Sequence, residues 1–201
     1  MKGTLPSTDR RRLGPLALAL LLGATSCGHT KGAGDATATA IERVAETKPE
    51  AEMSKDNALL AEWTGPYGGV PAFDAMEIGL LEPAMTVAMR RHLAEIDVIA
   101  NETAAPTFDN TIAALERTGR ALDRVFAYWG VWRGNVSSPE SRKIQAALAP
   151  RIAEFRSAIT QNRALFSRIK AVHGDAAQRS AAERRLVRLI YDRFARAGAA
   201  L

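Results

Sequence analysis

From Pro71 onward, apolar residues recur every three to four positions, the spacing of helices that bury one face. Met85, Met89, Leu93, Ile96 and Ile99 mark one such face and predict a helix from about Glu82 to Asn101. Ile112, Leu115, Leu122, Phe126 and Trp129 mark a second, from about Phe108 to Arg133, whose start Thr107 or Asp109 can cap. A third opens at Ser138-Pro139-Glu140: a capping hydroxyl, a proline where no N–H is needed, then an acid at the positive end of the dipole. Its stripe is Ile144, Leu148, Ile152, Phe155 and Ile159, and Pro150 should bend it. A shorter helix, about Arg163 to Val172, is ended by Gly174. The last runs from about Ala177 toward Leu201, with Leu186, Val187, Ile190 and Phe194 inward. No stretch alternates as a strand would. The expected fold is all-α, an antiparallel, bundle-like set of helices over residues 56–201 with a modest core. The last stripe still runs at Leu201, which reads as a cut inside a helical domain.

The first 55 residues have a different character. Lys2 and Arg10-Arg11-Arg12 form a positive region ahead of the apolar run Leu13 to Leu22. That run is too short to span a bilayer as an ordinary helix and reads as a signal peptide over residues 1–26. Ala24-Thr25-Ser26 precede a lone cysteine, Cys27, and resemble the lipobox of bacterial lipoproteins, with alanine where that signal usually has leucine. On this reading Cys27 is the lipid-attachment residue, and the chain is exported and anchored on the periplasmic side of a bacterial cell envelope. An ordinary secretory signal is the alternative. As the only cysteine, Cys27 can form no intrachain disulfide. Residues 27–55, rich in Gly, Ala, Thr, Glu and Lys, read as a flexible tether.

Charge adds little. Lys2 and the three arginines against Asp9 account for +3 of the formal +5, leaving +2 from Cys27 onward. Neither that value nor export favours a nucleic-acid partner.

Candidate chemistry is sparse. The histidines are His29, His92 and His173, none has a partner four residues away, and no H-E-x-x-H occurs. A helical zinc-peptidase site needs two imidazoles one turn apart with a glutamate beside them. His92 and Glu95 have ligand-like spacing but read as a surface contact. His173 reads as a cation at a helix C-terminus. Asp109 is a helix-start acid. Tyr128, Trp129 and Trp132 could line a peptide groove or pack in the core. Arg179, Arg184, Arg185, Arg188, Arg193 and Arg196, with Glu183 and Asp192 interleaved, read as a solvated face. The loop Trp63 to Val70 lacks phosphate-loop spacing and reads as an ordered segment entering the fold.

Several segments resemble one family in order and spacing. They are Leu59-Leu60-Ala61-Glu62-Trp63 through Phe73, Arg91-His92-Leu93-Ala94-Glu95, and Pro106-Thr107-Phe108-Asp109-Asn110-Thr111-Ile112 through Gly119. Asn162-Arg163-Ala164-Leu165-Phe166 and Arg193-Phe194-Ala195-Arg196-Ala197-Gly198 follow. Together they resemble the amino-terminal region of peptidyl-dipeptidases, or dipeptidyl carboxypeptidases, among the thimet-oligopeptidase-like zinc metallopeptidases. Phe108-Asp109-Asn110-Thr111 is the most specific piece. The resemblance implies a larger helical enzyme with a deep channel, zinc in the full-length protein, and oligopeptide substrates cut into carboxy-terminal dipeptides. It implies that the zinc helix lies beyond the matched region. No catalytic, cofactor-binding or metal residue therefore carries over to this chain, which would be inactive alone. Two readings follow: the amino-terminal piece of an exported zinc peptidyl-dipeptidase, or a non-catalytic, lipid-anchored helical binding or remnant protein.

Overall fold

A computed structural model of the chain describes residues 57–66, 69–136, 138–175, 177 and 179–199. The signal peptide and tether expected at residues 1–26 and 27–55, with Cys27 and His29, lie outside them. The first long stripe becomes α1, Leu81–Ala100. A π-helical turn, Phe108–Ala113, runs into the short α2, Ala114–Glu116. Then follow α3, Arg120–Asn135, α4, Pro139–Thr160, α5, Arg163–Gly174, and α6, Ala181–Arg196. Extended pairing among the described residues is limited to an isolated bridge between Thr64 and Val70, so the protein is all-α.

Two apolar clusters form, and α1 belongs to both. Its first turns, through Leu81, Met85, Met89 and Leu93, pack with Leu122, Val125 and Tyr128 of α3 and with Leu148, Ile152 and Phe155 of α4. Its last turns, through Ile96, Ile99 and Ala100, pack with Ile112, with Leu165, Phe166, Ile169 and Val172 of α5, and with Val187, Ile190 and Phe194 of α6. Ile159, near the end of α4, touches both clusters. The small residues Ala84 and Ala88, fully buried, allow neighbours to approach α1 closely. A surface tie adds to this: Arg151 of α4 pairs with Glu82 at 3.0 Å and donates to Thr86 Oγ1 at 2.5 Å.

The entering segment is fastened at both ends. Asn57 caps the 3-10 turn Ala58–Leu60 through the Leu59 N–H, and its Nδ2 donates to Leu80 O at 2.9 Å. Leu59 and Leu60 are buried. The Trp63 to Val70 loop closes at Gly69, whose φ is +101°. A Cβ there would sit 2.5 Å from the Trp63 backbone, so only glycine fits.

The single helix expected from Phe108 to Arg133 is broken. Thr118-Gly119 interrupts it, with Gly119 at φ +78°, because a helix cannot continue through a left-handed residue. The stripe reads continuously because Leu115 and Leu122 are seven residues apart and both face the interior, across a change in direction. The last helix starts four residues later than expected, since Ser180 and Glu183 form the capping box that sets its start. Thr107, of the two candidates, caps the π-helical turn. The helix of Pro139–Thr160 runs through Pro150, which is exposed.

Gly119→Ala combines strain at positive φ with a Cβ 2.6 Å from the His92 ring. It should destabilise the fold by about 2–4 kcal/mol. Denaturant unfolding of the two proteins measures this; an unchanged midpoint would show that the turn relaxes without strain.

Candidate functional site

The positions singled out for chemistry in the sequence do not converge. His92 and Glu95 are neither a surface pair nor metal ligands together. Both reach across to the Thr118-Gly119 break. The Gly119 N–H donates to Glu95 Oε2 at 2.7 Å, and His92 Nε2 lies 3.0 Å from Thr118 Oγ1. Thr118 gives its hydroxyl proton to Leu115 O at 2.7 Å. Its oxygen is then the acceptor for His92, so the ring proton resides on Nε2. That leaves Nδ1 as a buried lone pair without a hydrogen-bond partner. The ring also packs on Phe155, with centroids 5.5 Å apart. His173, expected to complement the end of α5, stacks on Tyr191 at 4.1 Å between nearly parallel rings. Among the described residues no group of three or more His, Cys, Asp or Glu side chains is placed to hold a metal, and the chain's residues there do not assemble a zinc donor set.

The segment Phe108-Asp109-Asn110-Thr111 is a clamp. Thr107 and Asn110 form a reciprocal capping box, and Asn110 Nδ2 donates to Ala105 O at 2.9 Å. Asn110 Oδ1 accepts from Thr111 Oγ1 and from Arg168 NH2, at 2.9 and 3.1 Å. Arg168, 7% exposed, also donates to Glu102 O at 2.7 Å and to Ala104 O at 3.0 Å. One guanidinium thus fixes the loop after α1 and the cap of the next turn. Arg168 was not singled out in the sequence. Its signal was present: it sits at the i+3 position of the stripe Leu165, Ile169, Val172, where a charge is costly unless paired. Asp109 is exposed in the first turn, as a helix-start acid.

The aromatic residues divide. Tyr128 is core: it is 1% exposed, lies edge-on to Trp63 and Phe73, and accepts from the Ala72 N–H at 2.9 Å. Trp129 stacks on Phe126 under the Arg133 guanidinium. With Trp132, Ile78 and Val136 it lines a small surface cleft of about 50 Å³. A larger cleft of about 400 Å³ is bordered by Glu62, Trp63, Arg120, Asp123 and Arg124. It offers two carboxylates, two guanidiniums and an indole edge, but no nucleophile beside a base.

No family model matches the chain. The dipeptidyl carboxypeptidase of Salmonella typhimurium is 33% identical over 147 residues, 72% of this chain and 22% of that protein. The dipeptidyl carboxypeptidase of Escherichia coli is 32% identical over 151 residues, 74% of this chain and 22% of that protein. This chain is a homologue of the dipeptidyl carboxypeptidases. It spans about a fifth of the length of these curated relatives. The residues that hold the break and the clamp have their partners within this chain, both backbone and side chain.

Burial pushes the His92 imidazole below its ordinary value, while the charges of Glu95 and Asp123 act to raise it. The fold thus favours neutral His92. Its contribution to stability is complete above an imidazole's ordinary pKa of about 6.5 and is lost as pH falls below that value toward the lowered one. Melting temperature should fall between pH 7.5 and pH 5 more steeply in the native chain than in His92→Gln, which keeps a donor for Thr118. Equal slopes in the two proteins would show that His92 does not titrate in that window.

Proposed function

We propose that the chain is the helical amino-terminal part of an exported, lipid-anchored zinc peptidyl-dipeptidase, on the periplasmic side of a bacterial cell envelope. The activity would be removal of carboxy-terminal dipeptides from oligopeptides. The observation that carries this reading is the identity of about a third with two dipeptidyl carboxypeptidases over nearly three quarters of the chain. Zinc would activate water for peptide hydrolysis in the whole enzyme. Its ligands would come from polypeptide outside these residues, since the chain carries no H-E-x-x-H. The role of this part is to build helical wall. The polar contacts of Asn57, Glu95, His92, Asn110 and Arg168 are made to turns, caps and loops of this chain and support its packing.

The purified chain should hold no stoichiometric zinc and release no dipeptide from a blocked tripeptide. Metal analysis and product chromatography test this; chelator-sensitive turnover by the pure chain would overturn it. The anchor is tested separately. Small residues before Cys27, after a positive region and a short apolar run, support acylation there, and more than one acyl chain makes such anchoring firm. Cys27→Ala should move the protein from the detergent phase to the aqueous phase. A variant that partitions like the native chain would remove the lipoprotein reading.

A further inference from the structure

Helix α6 carries its charge on one side. Taken at 3.6 residues per turn, Arg184, Arg185, Arg188, Leu189, Arg193 and Arg196 fall within about half of the helix circumference, and all are exposed. The opposite side, Val187, Ile190 and Phe194, is buried against α5 and the end of α1. The outward face is therefore fixed by packing. Its acids do not balance it. Glu183 is turned to its own N-cap, accepting from the Ser180 N–H and hydroxyl at 2.9 and 2.8 Å. Asp192 meets Arg188 only at 3.7 Å, and the Arg188 side chain is 77% exposed. Leu189, 52% exposed, stands among the arginines. A cationic face that includes an exposed leucine, with Asp192 as the acid within it, suits a surface that is anionic outside and apolar just beneath.

We infer that the Arg184–Arg196 face of α6 is a docking surface for anionic phospholipid headgroups. The inference takes its setting from the lipid-anchored reading. An anchor at Cys27 would lie 30 positions ahead of the first described residue, Asn57, a separation that would keep the helices near a bilayer. At that range the local concentration of headgroups is high, and an attraction too weak to recruit a free protein becomes sufficient to orient a tethered one. Guanidiniums suit this partner because they pair with phosphate in a bidentate manner and shed water readily. An acidic protein would satisfy the charge but not call for Leu189, so the lipid surface is the better fit.

The test uses the full chain carrying Cys27→Ala, so that no acyl group contributes. It is sedimented with vesicles of phosphatidylglycerol mixed with phosphatidylcholine, and with vesicles of phosphatidylcholine alone. Binding is expected for the anionic vesicles only, and should weaken as salt shortens the screening length. Arg188→Glu combined with Arg193→Glu should weaken it about tenfold or more while circular dichroism stays unchanged. Arg10→Glu with Arg11→Glu, ahead of Cys27, should leave it as it was. The inference is overturned by absence of binding, by equal binding to both vesicle types, by indifference to the α6 reversals, or by loss with the Arg10 and Arg11 reversals instead. Tighter binding to soluble heparin than to the vesicles would overturn the lipid assignment as well. Phase partition of the native chain reads the anchor independently, so failure of the one is distinguishable from failure of the other.

Discussion

Helix α1 is buried along its length by two different sets of neighbours, and the rest of the fold is arranged around that fact. Leu81, Met85 and Met89 are covered by α3 and α4; Ile96, Ile99 and Ala100 are covered by α5, α6 and the π-helical turn. Neither cluster is large for its role. A domain of this size holds only a narrow margin of stability, and a helix common to both clusters lets each support the other. Removing one large side chain from α1 would cost its own burial and also loosen the partners it orders.

Two polar joints make the sharing possible, because the chain must turn out of α1 and return twice. Arg168 holds the loop after α1 by donating to Glu102 O, Ala104 O and Asn110 Oδ1. Glu95 and His92 hold the Thr118-Gly119 break, so that α3 can leave in a new direction. In both cases a charged or titratable side chain spends most of its hydrogen bonds on loop and cap atoms, which offsets much of its desolvation cost, although His92 Nδ1 and Arg168 Nε stay buried without a partner. The segment Phe108-Asp109-Asn110-Thr111 has an architectural role here: Asn110 is simultaneously cap, acceptor and loop tie.

The helices were legible in the sequence, because Met85 to Ile99 and Ile144 to Ile159 keep strict helical spacing and Ser138-Pro139 announces its own start. The break at Gly119 was not. Leu115 and Leu122 keep the stripe in phase across it, and the tertiary contacts that hold Thr118 and Gly119, from His92 and Glu95, are not encoded in the local pattern, where Gly119 is the one local sign of a break. Arg168 could have been found as a charge inside an apolar stripe. His92 and Glu95 have the spacing of a surface contact one helical turn apart, whereas each reaches the turn packed against α1. Trp129, Trp132 and Tyr128 form one aromatic cluster in the sequence; Tyr128 is buried in the core, Trp129 is half-buried and packs against it, and Trp129 and Trp132 also border a surface cleft. The absence of H-E-x-x-H, by contrast, is a property of the sequence that no fold can alter.

These features describe a helical body in which α1 is held between two apolar clusters, with Arg168, His92 and Glu95 fixing the turns that leave it. Native-state hydrogen exchange along α1 tests that arrangement most directly. The account predicts that amides of Met85 to Met89 and of Ile96 to Ala100 exchange through the same global opening and lose protection together as denaturant rises. If the Ile96 to Ala100 turn opened alone, at distinctly lower free energy than the Met85 to Met89 turns, the two clusters would be independent units and the account would be contradicted.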